Sequence, residues 1–143
     1  VALSREEREQ FLSEPHIGAL AVDAGEGEGR APLSVPVWYQ YEPGGDLWIL
    51  TGPDSRKGKL IAAAGRFTLL ADRTEPTVRY VSVEGPVTST VPASPEAARE
   101  MVTRYLAPEK VEPYLEFAAG SHGAQVVIRM RPEHWLSSDL GRL

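Results

Sequence analysis

From Ile17 to Ser89 the chain is cut into short β-patterned segments by turns rich in Gly and Pro, the rhythm of a barrel or sandwich. Ile17-Gly18-Ala19-Leu20-Ala21-Val22 reads as a strand, and Gly25-Glu26-Gly27-Glu28-Gly29 as the exposed turn of a first hairpin. The return segment, Leu33 to Tyr41, alternates Leu33, Val35, Val37, Tyr39 and Tyr41 against Ser34, Pro36, Trp38 and Gln40. Pro36 has no N–H to donate, so this segment belongs at a sheet edge or a bulge, where neighbouring backbone groups stay free. Pro43-Gly44-Gly45-Asp46 is a turn into Leu47-Trp48-Ile49-Leu50-Thr51. Three antiparallel strands in meander order are the expectation.

Helix signals punctuate the same pattern. Ser4 followed by Glu7 is a capping box, and it predicts a helix from Arg5 to about Ser13 that packs as a lid through Phe11, Leu12 and Leu3. Ser55 to Ala64 reads as a short helix ended by Gly65. Phe67 to Asp72 is a strand, Thr74-Glu75-Pro76 a turn, and Val78 to Ser89 a long strand in which Gly85-Pro86 predicts a bend. Ser94 with Pro95 starts a helix from Glu96 to Leu106; a second helix runs from Val111 to Ala119, with Gly120 as its stop. Ala124 to Arg131 is a last alternating strand, and Glu133-His134-Trp135-Leu136 closes the fold. The expected class is mainly β (α+β): one domain over residues 1–143, a six- to seven-stranded antiparallel barrel, closed or split, with peripheral helices.

Composition sets the chemical limits. A chain of 143 residues, 42% hydrophobic and 24% charged, holds one packed core. It has no cysteine, which excludes disulfides, thiolate catalysis, thiolate metal sites and iron–sulfur clusters. A net charge of −5 gives no overall attraction for nucleic acid or an anionic membrane, so an anion site must be local. No apolar run is long enough to span a bilayer, and Leu3-Ser4-Arg5-Glu6-Glu7-Arg8 does not read as a basic and then apolar signal; a cytoplasmic protein is the expectation.

The local feature with most chemical content is Thr51-Gly52-Pro53-Asp54-Ser55-Arg56-Lys57-Gly58-Lys59: a strand end, a turn and closely spaced cations at a helix start. A Ser hydroxyl, an Arg fork, a Lys ammonium and free N–H groups together hold a phosphate or carboxylate. The alternative is a solvated basic turn. Cations at a helix start oppose its dipole by about 0.3–1 kcal/mol each, and a bound anion would account for their placement. Pro36-Val37-Trp38 offers a free backbone edge and a flat ring to a planar heterocycle, or Trp38 and Tyr39 are core or interface aromatics. His16, His122 and His134 have no ligand spacing, so no metal is expected. No Gly-x-Ser-x-Gly elbow and no Gly-x-Gly-x-x-Gly follows a strand, so hydrolase chemistry and a Rossmann nicotinamide site have no support.

These residues together resemble the pyridoxamine 5'-phosphate oxidase-like superfamily of split β-barrel flavin and deazaflavin proteins. The resemblance spans most of the chain: the N-terminal helix, Ile17 to Val22, Pro32-Leu33-Ser34-Val35-Pro36-Val37-Trp38-Tyr39, Leu47 to Thr51, Ser55-Arg56-Lys57, Arg66-Phe67-Thr68-Leu69-Leu70 and Glu84-Gly85-Pro86-Val87. It implies a homodimer with cofactor clefts shared between protomers. It also implies that Pro36, Val37 and Trp38 border the ring system, Leu50 and Thr51 meet its ribityl side, and Ser55, Arg56 and Lys57 hold the phosphate; Trp135 is the candidate contribution from the partner. The cofactor would be FMN or the deazaflavin coenzyme F-420. An Ala, Gly, Arg and Pro bias, suggesting a high-GC genome, leans toward the deazaflavin.

The chain lacks the full set of basic residues that authentic pyridoxamine phosphate oxidases use for their substrate, so vitamin B6 oxidation is not expected. What remains is a flavin- or deazaflavin-dependent oxidoreductase acting on a small organic molecule, with redox chemistry carried by the cofactor and no side chain named as catalytic acid or base. The alternative is a non-catalytic barrel that holds flavin or haem as a sensor.

Overall fold

Three of the helices begin where a serine hydroxyl accepts from a backbone N–H that the helix itself leaves free. In the computed structural model, which describes residues 1–25, 29–121 and 123–142, Ser4 and Glu7 close a reciprocal capping box on α1 (Arg5–Ser13). Ser55 caps α2 (Arg56–Ala64), which Gly65 ends in the left-handed conformation at φ 72°. Ser94 caps α3 (Pro95–Tyr105). The last helix, α4 (Pro108–Ser121), starts at Pro108 and not at Val111. A proline at the first helical position lacks only an N–H that would have no helical partner anyway. Pro113 lies inside α4, and the carbonyl it leaves free belongs to Glu109, an exposed residue.

Seven antiparallel strands curl into a half-barrel: β1 (Gly18–Val22), β2 (Leu33–Val37), β3 (Leu47–Thr51), β4 (Arg66–Arg73), β5 (Arg79–Pro92), β6 (Val126–Met130) and β7 (His134–Asp139). Their order is β2-β1-β4-β5-β6-β3, with β7 also on β5. The expected split barrel of mixed α+β class is therefore present, but the meander is not. Strand β3 pairs with β6, and among the described residues its backbone hydrogen bonds to the segment after β2 are those of the Gln40 and Trp48 bridge, with both N–H groups donating at 2.9 Å. Strand β2 stops at Val37, short of the expected Tyr41, because the chain turns inward there. The Tyr39 N–H donates to the Tyr105 hydroxyl at 3.1 Å, and the Tyr39 hydroxyl donates to the Leu12 carbonyl at 2.6 Å. The β2 and β3 edges are thus left as an open seam.

Strand β5 makes the curl. Its first half pairs with β4 and β7, and its second half with β6, with a register shift between Val87 and Ser89. The change of sheet falls at the expected bend. Gly85 lies so close to the next segment that a Cβ there would sit 1.7 Å from the Arg131 carbonyl oxygen.

Inside the curl, Leu20, Leu69 and Val83 stand opposite one another on β1, β4 and β5, and all are buried. Phe11 and Leu12 of α1 close the core as the expected lid, each burial contributing about 1.5–3 kcal/mol. A second cluster of Trp48, Met101 and Val127 forms where α3 covers the other face of β3 and β6. Among the described residues the outer face of the β2-β1-β4-β5-β7 part of the sheet has no such cover. Pro36, Ala19, Leu70, Ser82 and Leu136 form one cross-strand row there, and Leu136 is 65% exposed. The Gly25 to Gly29 turn falls partly outside the described residues.

Candidate functional site beside the basic turn

The seam brings together sequence-distant groups. Pro36, Val37 and Trp38 run along the β2 side, Leu50 lies at the end of β3, and Lys57 reaches in from the first turn of α2; all five line a cavity of ≈ 240 Å³. Helices α3 and α4 close it with Met101, Val102, Tyr114 and Leu115 among others. Trp38 is held between two rings: Tyr105 stacks on it at 5.0 Å and 11°, and Tyr114 lies at 5.5 Å and 36°. A rigid aromatic wall results.

Helix α3 is fixed in this position by bonds to the end of α1. Arg104 donates to the carbonyls of Ser13 and Glu14 at 2.6 and 2.8 Å, and the Tyr105 hydroxyl donates to the His16 carbonyl at 2.7 Å. These carbonyls are the ones a helix end leaves without partners, and a guanidinium is well suited to them.

The basic turn is built with little slack. Thr51 is buried, with its hydroxyl 3.1 Å from that of Ser55. The Ser55 hydroxyl donates to the Gly52 carbonyl at 2.7 Å and accepts from the Gly58 N–H at 3.0 Å. Gly58 is packed against the turn: a Cβ there would lie 2.5 Å from the Gly52 carbonyl oxygen. Thr51 and Ser55 therefore shape the loop, and Arg56 and Lys57 project from it. Neither cation has an ion pair or side-chain hydrogen bond among the described residues. Arg56 is exposed, while Lys57 is half-buried, and burial without a counter-charge pushes its ammonium below the usual lysine range.

Trp135 is not in this cavity. It stands opposite Val83 on β7, under the Arg8 guanidinium at 4.6 Å and edge-on to Tyr41 at 6.2 Å. It borders a separate depression with Ser82, Glu84 and Leu136 on the uncovered side of the sheet. Among the described residues no cluster of His, Asp and Glu could hold a metal ion, and no helix is long and apolar enough to cross a membrane. His16 is folded against Phe11, with Nε2 2.9 Å from the Phe11 carbonyl; His122 lies outside the described residues.

Sequence reasoning missed the α3 and α4 wall. The near-helical spacing of Ala97, Met101, Val102 and Tyr105 signals an apolar helix face, but nothing in it says which surface that face covers.

A split barrel of this strand order defines a class of protein. Residues 4–139 match the pyridoxamine 5'-phosphate oxidase family model, and the chain belongs to that family. Among solved structures it is similar to the conserved hypothetical protein Rv2991 from Mycobacterium tuberculosis, at 24% identity and TM-score 0.69 over 97% of this chain and 86% of that one. It is also similar to an F420 reductase, at 21% identity and TM-score 0.67 over 90% of this chain and 94% of that one. An FAD-binding protein from Mesorhizobium loti matches at 18% identity and TM-score 0.60, over 97% and 95% of the two chains. No curated protein matches the sequence.

Proposed function

We propose that this chain binds a flavin-type cofactor, FMN or the deazaflavin coenzyme F-420, and works as an oxidoreductase on a small organic substrate. One observation carries the reading: the Lys57 ammonium lies half-buried without a counter-charge in a cavity whose other walls are the Pro36 edge and the Trp38 ring. An unneutralised cation in that position is costly unless an anion arrives with the ligand. The backbone N–H groups at the α2 start face the same requirement, since only that of Gly58 is taken up by Ser55.

The donor set fits a phosphate-bearing planar group. Arg56 and Lys57 would hold the phosphate, with Ser55 and Thr51 keeping the turn in shape. Pro36, Val37, Trp38 and Leu50 would border the ring system. The bound group supplies the electron or hydride transfer, and the chain supplies charge, orientation and exclusion of water. The similarity to an F420 reductase and to an FAD-binding protein supports a cofactor of this type.

The functional unit is a homodimer. The uncovered row from Pro36 to Leu136 carries no charged side chain, and Ile17 beside it is 55% exposed, the kind of apolar patch that marks an interface. Pro36 borders both the cavity and this face. A two-fold axis along the strands near Leu70 would set the β7 end of one copy against the Pro36 end of the other and bring Leu136 there, while the Trp135 ring stays on the opposite, core side of β7.

The test is a titration of purified protein with FMN and with F-420, read by quenching of cofactor fluorescence. Saturation by one of them with a Kd below about 100 μM is expected. Failure of both removes the oxidoreductase reading. Binding with no turnover of electron acceptors by the reduced complex would make the chain a flavin carrier or sensor.

A further inference from the structure

A second cavity, of ≈ 530 Å³, lies between α3 and α4 near the end of β5. It adjoins the first: Ala98, Leu115, Ala118 and Gln125 line both. Its own walls are small and apolar, with Ala93, Ala119 and Ala124 among them. Three charged or polar groups mark its rim, and none offers a free positive charge. Arg99 is paired with Glu112, while Glu96 and Ser94 stand at the α3 start. The Arg99 and Glu112 charges cancel and Glu96 offsets the positive end of α3, so the rim offers an anionic ligand no net attraction. One polar side chain remains inside. The Gln125 carboxamide has no hydrogen-bond partner among the described residues and borders both cavities, so it can donate to or accept from a ligand's hydroxyl or carbonyl.

We infer that this second cavity is a binding site for an uncharged, largely apolar ring molecule whose single polar group meets Gln125. The volume suits a molecule of a few fused rings, and a slot between two helices lined by alanines admits a flat body better than a branched one. Its role as the substrate side of the cleft rests on the flavin reading above: the shared wall sets such a molecule beside the Trp38 cavity. The site as a ligand site stands on its own residues. The division of labour is electrostatic: Lys57 serves the charged ligand in one cavity, and the other takes the neutral one.

The neutral fluorescent probe N-phenyl-1-naphthylamine tests this, titrated into the protein with and without FMN while FMN affinity is measured in parallel. Ala119→Trp and Ala124→Trp plug the larger cavity at exposed positions that do not line the smaller one. Wild-type protein should bind the probe saturably, and each variant should bind it about tenfold more weakly with FMN affinity unchanged. Absence of saturable probe binding to the wild type, or equal binding by both variants, overturns the inference. Probe binding with the expected variant loss in protein that takes up neither FMN nor F-420 supports the site and removes the flavin reading alone.

Discussion

Trp38 and Tyr105 stack with ring centroids 5.0 Å apart and planes 11° from parallel, and this contact joins the free end of β2 to α3. The Tyr105 hydroxyl also accepts from the Tyr39 N–H at 3.1 Å and donates to the His16 carbonyl at 2.7 Å. Tyr105→Phe keeps the stack and leaves those backbone groups without their partner, at a cost of about 1–3 kcal/mol. Tyr105→Ala loses the stack as well, adding about 0.5–1.5 kcal/mol. Urea unfolding of the two variants checks the order. Equal stability of wild type and Tyr105→Phe would show that the hydroxyl holds nothing.

Arg56→Ala and Lys57→Ala separate binding from folding. Each should weaken FMN or F-420 binding by about 1.5–3 kcal/mol, the range for a hydrogen bond to a charged group. Stability should hold or rise by about 0.3–1 kcal/mol, because each change removes a cation from the positive end of α2. Cofactor titration and thermal unfolding of the same preparations read both effects. Unchanged affinity would place the phosphate elsewhere.

Gly58→Ala runs against helix propensity. Alanine in a helix is ordinarily better than glycine by about 0.8–1.0 kcal/mol. Here its Cβ would meet the Gly52 carbonyl oxygen at 2.5 Å, which is backbone that cannot simply rotate away. A net loss of about 1–3 kcal/mol is expected, together with weaker cofactor binding as the turn shifts. A stabilised variant would mean that the turn is slacker than it looks.

Acid should unfold the chain from its termini. Asp139 accepts from Arg79 at 2.7 Å, from Thr77 and from the Gly141 N–H, which lower its pKa from 3.8 to about 2. The Ser4 N–H, followed by Arg142, lowers that of Glu7 from 4.5 to about 2. A carboxyl with a depressed folded-state value binds protons more readily when unfolded, so its contribution is complete above about pH 4.5 and is lost as pH falls toward about 2. Urea midpoints measured between these limits should fall with pH. Asp139→Asn should lower stability at neutral pH, where Arg79 loses its counter-charge, and flatten the acid dependence.

Leu70→Lys tests the proposed dimer at the centre of the uncovered row, where it burdens the interface with a charge while the isolated fold keeps an exposed side chain. Sedimentation should give a dimer for the wild type at micromolar concentration and a monomer for the variant. A monomeric wild type would remove every arrangement in which two chains share the cleft.

Local chemistry in the sequence determined much of this molecule. The Ser4 and Glu7 box, the Ser55 cap and Gly65 stop of α2, the Gly85-Pro86 bend and the close spacing of the cations at the basic turn are all short-range signals, each set by a few neighbouring residues. Tertiary structure decided the pairing of β3 with β6 in place of β2. Alternation tells which face of a strand is buried but not which edge it will meet, and here the inward turn of Tyr39 took the backbone that a meander would have used. It also decided that Trp38, Lys57 and Tyr114 share one cavity. Their meeting depends on where Arg104 and Tyr105 anchor α3 against the end of α1, a contact between segments some ninety residues apart, which no local pattern records.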